Sequence, residues 1–213
     1  MKLPDFQFEN DLWKKGLTVI GIDEVGRGAF AGPVGVGGVV FDANQSLKNK
    51  QYLLSIGIND SKKLTAKKRE SLAAIIKQNC LMYHISFIDV SIINKIGIGK
   101  ATFLGMDKVA KALFRKTKNP YLLIDGFEIP QVRNDQQKGI IRGDSLSISI
   151  AAASIIAKVA RDKLMRELSV EYSNYGWDKN KGYGTLFHRR AISEVGLTDL
   201  HRVDFCKNCT VDL

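Results

Sequence analysis

Proline, cysteine and histidine are scarce in this chain, and each scarcity excludes something. Four prolines, at positions 4, 33, 120 and 130, are scattered over 213 residues, so no proline-rich or other low-complexity tract is present. Three cysteines, an odd count, do not make the paired framework of a secreted disulfide fold. The three histidines stand apart from the acidic motifs, which argues against a zinc site. No apolar run reaches the ~18 residues that a membrane-spanning helix needs, and no repeat of ~20–50 residues is visible. Asp5, Glu9 and Asp11 come before any long apolar stretch, which speaks against a secretory leader and for a cytoplasmic protein. Acid is also in short supply. Thirty-two Lys and Arg face 22 Asp and Glu, a net charge of +10. That balance favours a polyanionic partner, nucleic acid being the commonest.

What is present reads as a sheet packed by helices. Leu17–Asp23, Pro33–Phe41, Leu81–Val90 and Tyr121–Asp125 carry strand patterns. Helical spacing covers a segment capped by Thr65, in which Leu72, Ile75 and Ile76 share a face. It also covers Ala101–Lys116, the Ala-rich Ile148–Leu168, and Leu186–Val195 up to Gly196. Strands come early and helices dominate late, which predicts an α/β or α+β layered fold with a helical C-terminal part. Residues 1–175 read as the core. Residues 176–213 read as a C-terminal segment of the same domain, joined through the polar, Gly-rich stretch 176–185.

Several acids stand directly after apolar strands rather than in obviously solvated positions. Asp23 and Glu24 follow one in IGIDEVGRG, and Asp125 follows another in LLIDG. Asp144 lies in IIRGDS before the Ala-rich helix. Strand ends aim side chains into the crevices where α/β proteins build sites. Carboxylates gathered there repel one another and raise each other's pKa, a cost that a divalent cation removes. Oxygen donors select Mg²⁺ or Mn²⁺. Other roles stay open at this level. Asp144 alone fits a helix N-cap, and Asp125 before Gly126 serves a turn as well as a ligand. Asp23 and Glu24, as neighbours in a strand, point to opposite faces unless the strand ends or kinks there, or one offers its backbone carbonyl.

The basic motifs lie close by in sequence. Gly26, Arg27 and Gly28 let backbone N–H groups and a guanidinium approach a phosphate or sugar hydroxyl, or simply form a turn. Ser61, Lys62 and Lys63 precede a helix start, an anion-binding position, while Lys67, Lys68 and Arg69 read as a solvated patch. Tyr183, between glycines and close to Lys179, Lys181, His188, Arg189 and Arg190, fits contact with a sugar or base, or a packing anchor. Two strings carry nothing. Gly97-Ile-Gly-Lys100 lacks the Ser or Thr and the first Gly of a P-loop. Cys206 and Cys209 form a single CxxC without a second pair and read as free thiols. Cys80 reads as core.

Taken together, GIDEVGRGAFAGPV, NDSKKLT, LLIDG, GDSLSISIAAASIIAKVARD and KGYGTLFH…GLTDLHRVDF, in that order, resemble the type 2 ribonucleases H, the bacterial ribonuclease HII family, over roughly residues 18–205. The resemblance implies a ribonuclease H-like α/β fold, a mixed central sheet flanked by helices, with a helical C-terminal segment helping to hold a duplex. It implies endonucleolytic hydrolysis of RNA in RNA–DNA hybrids and of duplex DNA on the 5′ side of an embedded ribonucleotide. Metal-binding catalytic acids then fall on Asp23, Glu24, Asp125 and Asp144, with Mn²⁺ or Mg²⁺ as cofactor in a two-ion site. Readers of the 2′-hydroxyl fall on Gly26, Arg27 and Gly28. A sugar-stacking ring falls on Tyr183, and phosphate contacts fall on Lys62 and Lys63. The implied partner is nucleic acid, not a membrane, met by a monomer. Ala29, Phe127, Leu146 and Asp204 depart from the usual pattern, and Leu146 removes a positive charge beside the acids. Two other readings share these features: a non-catalytic hybrid-binding module, and a nuclease of the same fold that acts on DNA alone.

Overall fold

The computed structural model describes residues 3–45 and 47–207. The chain begins with helix α1 (Gln7–Trp13) and enters strands β1 (Thr18–Val25) and β2 (Val34–Val40). Helices α2 (Leu47–Ser55) and α3 (Ala66–Asn79) lead to strand β3 (Met82–Ile88). Helices α4 (Val90–Ile96) and α5 (Ile98–Phe114) are separated by Gly97. Strands β4 (Pro120–Asp125) and β5 (Gln137–Ile140) precede the long α6 (Ile148–Glu171). Short α7 (Trp177–Asn180), α8 (Leu186–Val195) and α9 (Val203–Cys206) follow. Among the described residues no helix is long and apolar enough to cross a membrane.

The five strands run in the order β3-β2-β1-β4-β5. β1 pairs antiparallel with β2 and parallel with β4, so the sheet is mixed and β1 is its centre. Period-two alternation sorts the β1 side chains. Ile20 and Ile22 pack with Val36, Met106 and Val109 of the α5 side. Gly21 and Asp23 face α6. A Cβ on Gly21 would lie 2.2 Å from the backbone carbon of Ser149, so glycine there lets α6 press directly on the sheet. The alanine run of α6 is the other half of that fit, with Ala151, Ala152 and Ala153 fully buried. The long helix is thus held rigidly against the strand that carries Asp23.

Local signals fix several boundaries. Thr65 Oγ1 accepts from Lys68 N at 3.3 Å and starts α3 as its sequence predicts. α6 is capped by Ser147, whose hydroxyl accepts from Ile150 N at 3.3 Å, so Asp144 is released from the capping role. It sits instead in a one-turn 3₁₀ segment, Gly143–Ser145. The stretch 176–185, expected to be an open polar loop, contains α7, and Trp177 is fully buried there. Its aromatic surface outweighs the polar residues around it. Cys80 is half-buried against the α3–α6 core. Cys206 is buried, while Cys209 lies outside the described residues.

Candidate active site

Three of the strand-end acids converge. Asp23 of β1, Asp125 at the end of β4 and Asp144 of the 3₁₀ turn each offer a carboxylate oxygen within 4.8 Å of the others. The parallel β1–β4 pair brings the first two together, with Ile22 opposite Ile124. Asp125 then fixes the third, because its Oδ1 accepts from Gly143 N at 2.7 Å. The turn is also held from the N-terminal side. Asp5 exchanges backbone bonds with Leu146 and Ile148 (3.2 and 3.1 Å). Glu9, fully buried, accepts from Ser147 Oγ at 2.5 Å and Ser149 N at 3.0 Å. Burial pushes the Glu9 carboxyl up against those bonds.

Glu24 is placed differently. β1 remains paired past it, with Glu24 opposite Val36 and Val25 opposite Gly35, so the strand does not kink between the two acids. Glu24 lies outside the three-oxygen cluster and reaches Arg27 at 3.8 Å, while its backbone N–H donates to Asp23 Oδ1 at 2.7 Å. It remains within the field of the site. Burial raises its carboxyl against the pull of Arg27, and Asp125 adds to the rise.

The electrostatics are those of crowded like charges. Burial, then Glu24, Asp125 and Asp144, lift the Asp23 carboxyl well above the usual range. Burial and Asp125 push Asp144 up to about 6. Burial would lower Lys62, yet Asp60, Asp23, Asp144 and Asp125 together raise it. Crowding that favours protons also favours a divalent cation, and a donor set of carboxylates without His or Cys suits Mg²⁺ or Mn²⁺.

Two clefts meet at the acids. One of about 950 Å³ is lined by Lys62, Lys63, Asp125, Arg142 and Asp144, with Phe127 and Ile141 on its wall. The other, about 490 Å³, is lined by Asp23, Glu24, Gly26, Arg27, Gly28, Lys62 and Tyr183. The structure therefore brings every substrate-contact candidate to the acid cluster, with Lys62 shared between the clefts. Tyr183 is half-buried, with Lys158 Nζ 5.3 Å and Arg161 Cζ 5.6 Å from its ring centre. Lys63 reaches Ser145 Oγ at 3.3 Å.

Some residues behave unlike their sequence pattern. Arg69 is no solvated cation. It donates to the carbonyls of Ser61 (2.9 Å) and Leu64 (2.5 Å) and lies 3.7 Å from Asp162, bracing the Lys62–Lys63 turn. His188 is fully buried, joined to Trp177, Tyr183 and His201. Asp60, which caps the Lys62 turn at 2.9 Å, stands beside Asp144 and was visible in sequence only as part of NDSKK. Glu9, Arg161 and Arg202 gave no sequence signal, since a lone charged residue in a charged chain reads as surface.

A family model described as Ribonuclease HII matches residues 20–208. A relative named ribonuclease HII, from Caldicellulosiruptor saccharolyticus, is 42% identical over 204 residues, covering 95% of this chain and 94% of the relative. Among solved structures, ribonuclease H2 from Pyrococcus horikoshii OT3 superposes with a TM-score of 0.69 at 24% identity, covering 91% of this chain and 97% of that one. Bst-RNase HIII in complex with Mn²⁺ gives 0.67 at 21% identity, over 91% of this chain and 69% of that one. The structural likenesses establish the ribonuclease H-like fold. With the family model spanning nearly the whole sequence, this chain belongs to the ribonuclease HII family.

Proposed function

We propose that this metal-dependent endoribonuclease hydrolyses the RNA strand of RNA–DNA hybrids. We further propose that it incises duplex DNA on the 5′ side of a single embedded ribonucleotide, leaving 3′-hydroxyl and 5′-phosphate ends. The observation that carries the reading is the convergence of Asp23, Asp125 and Asp144 beside the Gly26–Gly28 loop and Tyr183. Asp23, Asp125 and Asp144 would hold Mg²⁺ or Mn²⁺ through their carboxylates, and Glu24, whose side chain lies outside that cluster, would join them through its backbone carbonyl. Held there, divalent ions would supply the Lewis acidity that makes a water nucleophilic and offsets charge on a leaving oxygen.

The protein's own groups do the rest. The central strand fixes Asp23, and the Asp125–Gly143 bond keeps Asp144 from drifting away from it. Lys62 and Lys63 neutralise phosphates along both clefts, giving salt-dependent, sequence-independent affinity. Arg27 and the loop amides meet the 2′-hydroxyl, the one group that separates RNA from DNA at a nucleotide. Tyr183, held over two cations, packs against the following sugar. His188 and His201 are sealed in the C-terminal cluster, so neither serves as general base. The enzyme acts as a cytoplasmic monomer.

Cleavage of three duplexes, a full hybrid, one with a single ribonucleotide, and all DNA, with and without Mn²⁺, tests the reading. Metal-dependent cuts in the first two and none in the third are expected. Cleavage of the all-DNA duplex at a comparable rate would overturn the ribonucleotide reading, and failure of all three would leave a binding module.

A further inference from the structure

Two guanidinium groups lie sealed beneath the loop Gly26–Pro33, and apart from Arg161 lying under the Tyr183 ring the chemistry above uses neither. Arg161 of α6 and Arg202, just before α9, are fully buried. Their donors go to backbone carbonyls. Arg161 gives Nε to Pro33 O (2.8 Å), Nη2 to Ala31 O (2.9 Å) and Nη1 to Lys181 O (2.9 Å). Arg202 gives Nε and Nη2 to Gly32 O (3.0 and 2.8 Å) and Nη1 to Arg27 O (2.9 Å). Its own N–H donates to Phe30 O at 2.7 Å. Two cations buried side by side are a poor way to gain stability, since well-packed apolar residues serve a core as well or better. What they supply is direction. Six N–H groups turn the carbonyls of one loop and of Lys181 inward.

Direction inside a trans peptide unit is shared, because C=O and N–H point opposite ways. The Arg27 carbonyl and the Gly28 N–H belong to one unit. With the carbonyl drawn down onto Arg202, the Gly28 amide faces outward, and Gly28 is exposed in the cleft that holds Asp23 and Tyr183. Gly26 makes the arrangement possible. Its φ is +79°, and a Cβ there would lie 2.1 Å from Arg161 Nε. Arg161 also stands under the Tyr183 ring and holds Lys181, two residues before it.

We propose that Arg161 and Arg202 are positioning residues for ribonucleotide selection. They hold the loop's carbonyls inward so that the Gly28 amide and Tyr183 are presented together to the sugar of the selected nucleotide. This inference rests on the ribonucleotide reading above, and it gives the C-terminal segment a part in choosing substrate. Lysine keeps the charge of Arg202 but lacks the planar fork that reaches two carbonyls.

The test is fluorescence anisotropy in metal-free buffer, so that nothing is cleaved. It uses two otherwise identical duplexes, one with a single ribonucleotide and one all DNA. The wild type is expected to prefer the first. Arg202→Lys and Arg161→Lys are expected to reduce that preference about 5–10-fold, the range for one aimed hydrogen bond, with all-DNA affinity nearly unchanged and a thermal midpoint lowered by the unpaired carbonyls but still above assay temperature. A preference that survives intact in a folded variant overturns the inference. So does unfolding of both variants at assay temperature, which assigns the pair to stability alone. A wild type with no preference defeats the ribonucleotide reading itself, a separate and recognisable outcome.

Discussion

Two of the clusters of buried ionisable groups among the described residues are built on opposite plans. At the strand ends, Asp23, Asp125 and Asp144 crowd like charge within 4.8 Å. In the C-terminal segment, His188 and His201 pack against Trp177 and Tyr175 with their protons accounted for. Trp177 Nε1 donates to His188 Nε2 at 3.0 Å, and Thr198 N donates to His201 Nδ1 at 2.9 Å. That fixes the remaining protons on His188 Nδ1, facing Tyr183 O at 3.0 Å, and on His201 Nε2, facing His188 at 3.2 Å. Both rings are neutral in this network. Burial lowers both, and burial with His188 takes His201 down to about 4. One cluster is complete in itself and stabilises the fold. The other is left electrostatically strained, and that strain is what a ligand relieves.

The contrast can be broken most directly at Asp23. Asp23→Asn is expected to lower single-turnover cleavage of a one-ribonucleotide duplex by at least ~100-fold, the loss that outer partners of a metal site alone can cause. It is expected at the same time to raise the melting temperature of the metal-free protein. A variant that is both active and less stable would show that the acids are a structural network. The mirror experiment is Trp177→Ala, which is expected to cost about 3–5 kcal/mol of stability in denaturant titration. Metal affinity, read by calorimetry with Mn²⁺ on the folded fraction, is expected to hold. Loss of Mn²⁺ binding would mean that the two clusters are one unit.

A smaller effect separates them at the boundary. Tyr183 belongs to the reading cleft yet its carbonyl serves His188. Tyr183→Ala is expected to slow cleavage at a single ribonucleotide about 10-fold, within the range for losing one stacking ring, and to leave His188 anchored by its backbone bond. Equal rates for mutant and wild type would remove the ring from substrate recognition.

The smallest effect is on pH dependence. The site carboxyls of Asp23, Glu24 and Asp144 are raised, so the folded state holds protons that the unfolded chain has released. Their contribution favours folding in acid and is lost as pH climbs out of the ordinary carboxylate range, for Asp144 through about 6. The histidines are lowered, so the unfolded chain takes protons first. Their contribution is intact above pH 6.5 and is lost as pH falls, for His201 toward about 4. In that window the two clusters oppose one another, and the metal-free protein should show a shallow pH profile by calorimetry. Asp144→Asn removes part of the first trend and should steepen the acid loss. An unchanged slope would refute the opposition.

Much of this was readable from the sequence where local pattern and final role coincide. An apolar run that stops at Asp125 declares a strand end with an acid on it, whereas β1 runs two residues past Asp23, to Val25. The helix after Thr65 and the one before Gly196 carry their own boundary signals. The strand β5 does not. Gln137-Lys-Gly-Ile140 has one strongly apolar residue, and its place is secured by the buried Gln137 amide bonding Ile129 and Val132 at 2.7–3.0 Å. Asp144 is ambiguous for a related reason, since only the fold shows that Ser147 takes the cap. Glu9, His201 and Arg202 are invisible because their partners lie at residues 147, 188 and 27. A long-range satisfied charge and a solvated one look alike in a linear string.

The bond between Arg202 and Arg27 spans 175 positions, and a ribosome delivers its two ends in order. Asp23, Asp125 and Asp144 have all been synthesised before residue 202 is added. By then Arg161 is also in place to hold Ala31 and Pro33, while the carbonyls of Arg27 and Gly32 still await Arg202. The last fastening of this loop is therefore supplied by one of the last segments of the chain to be made.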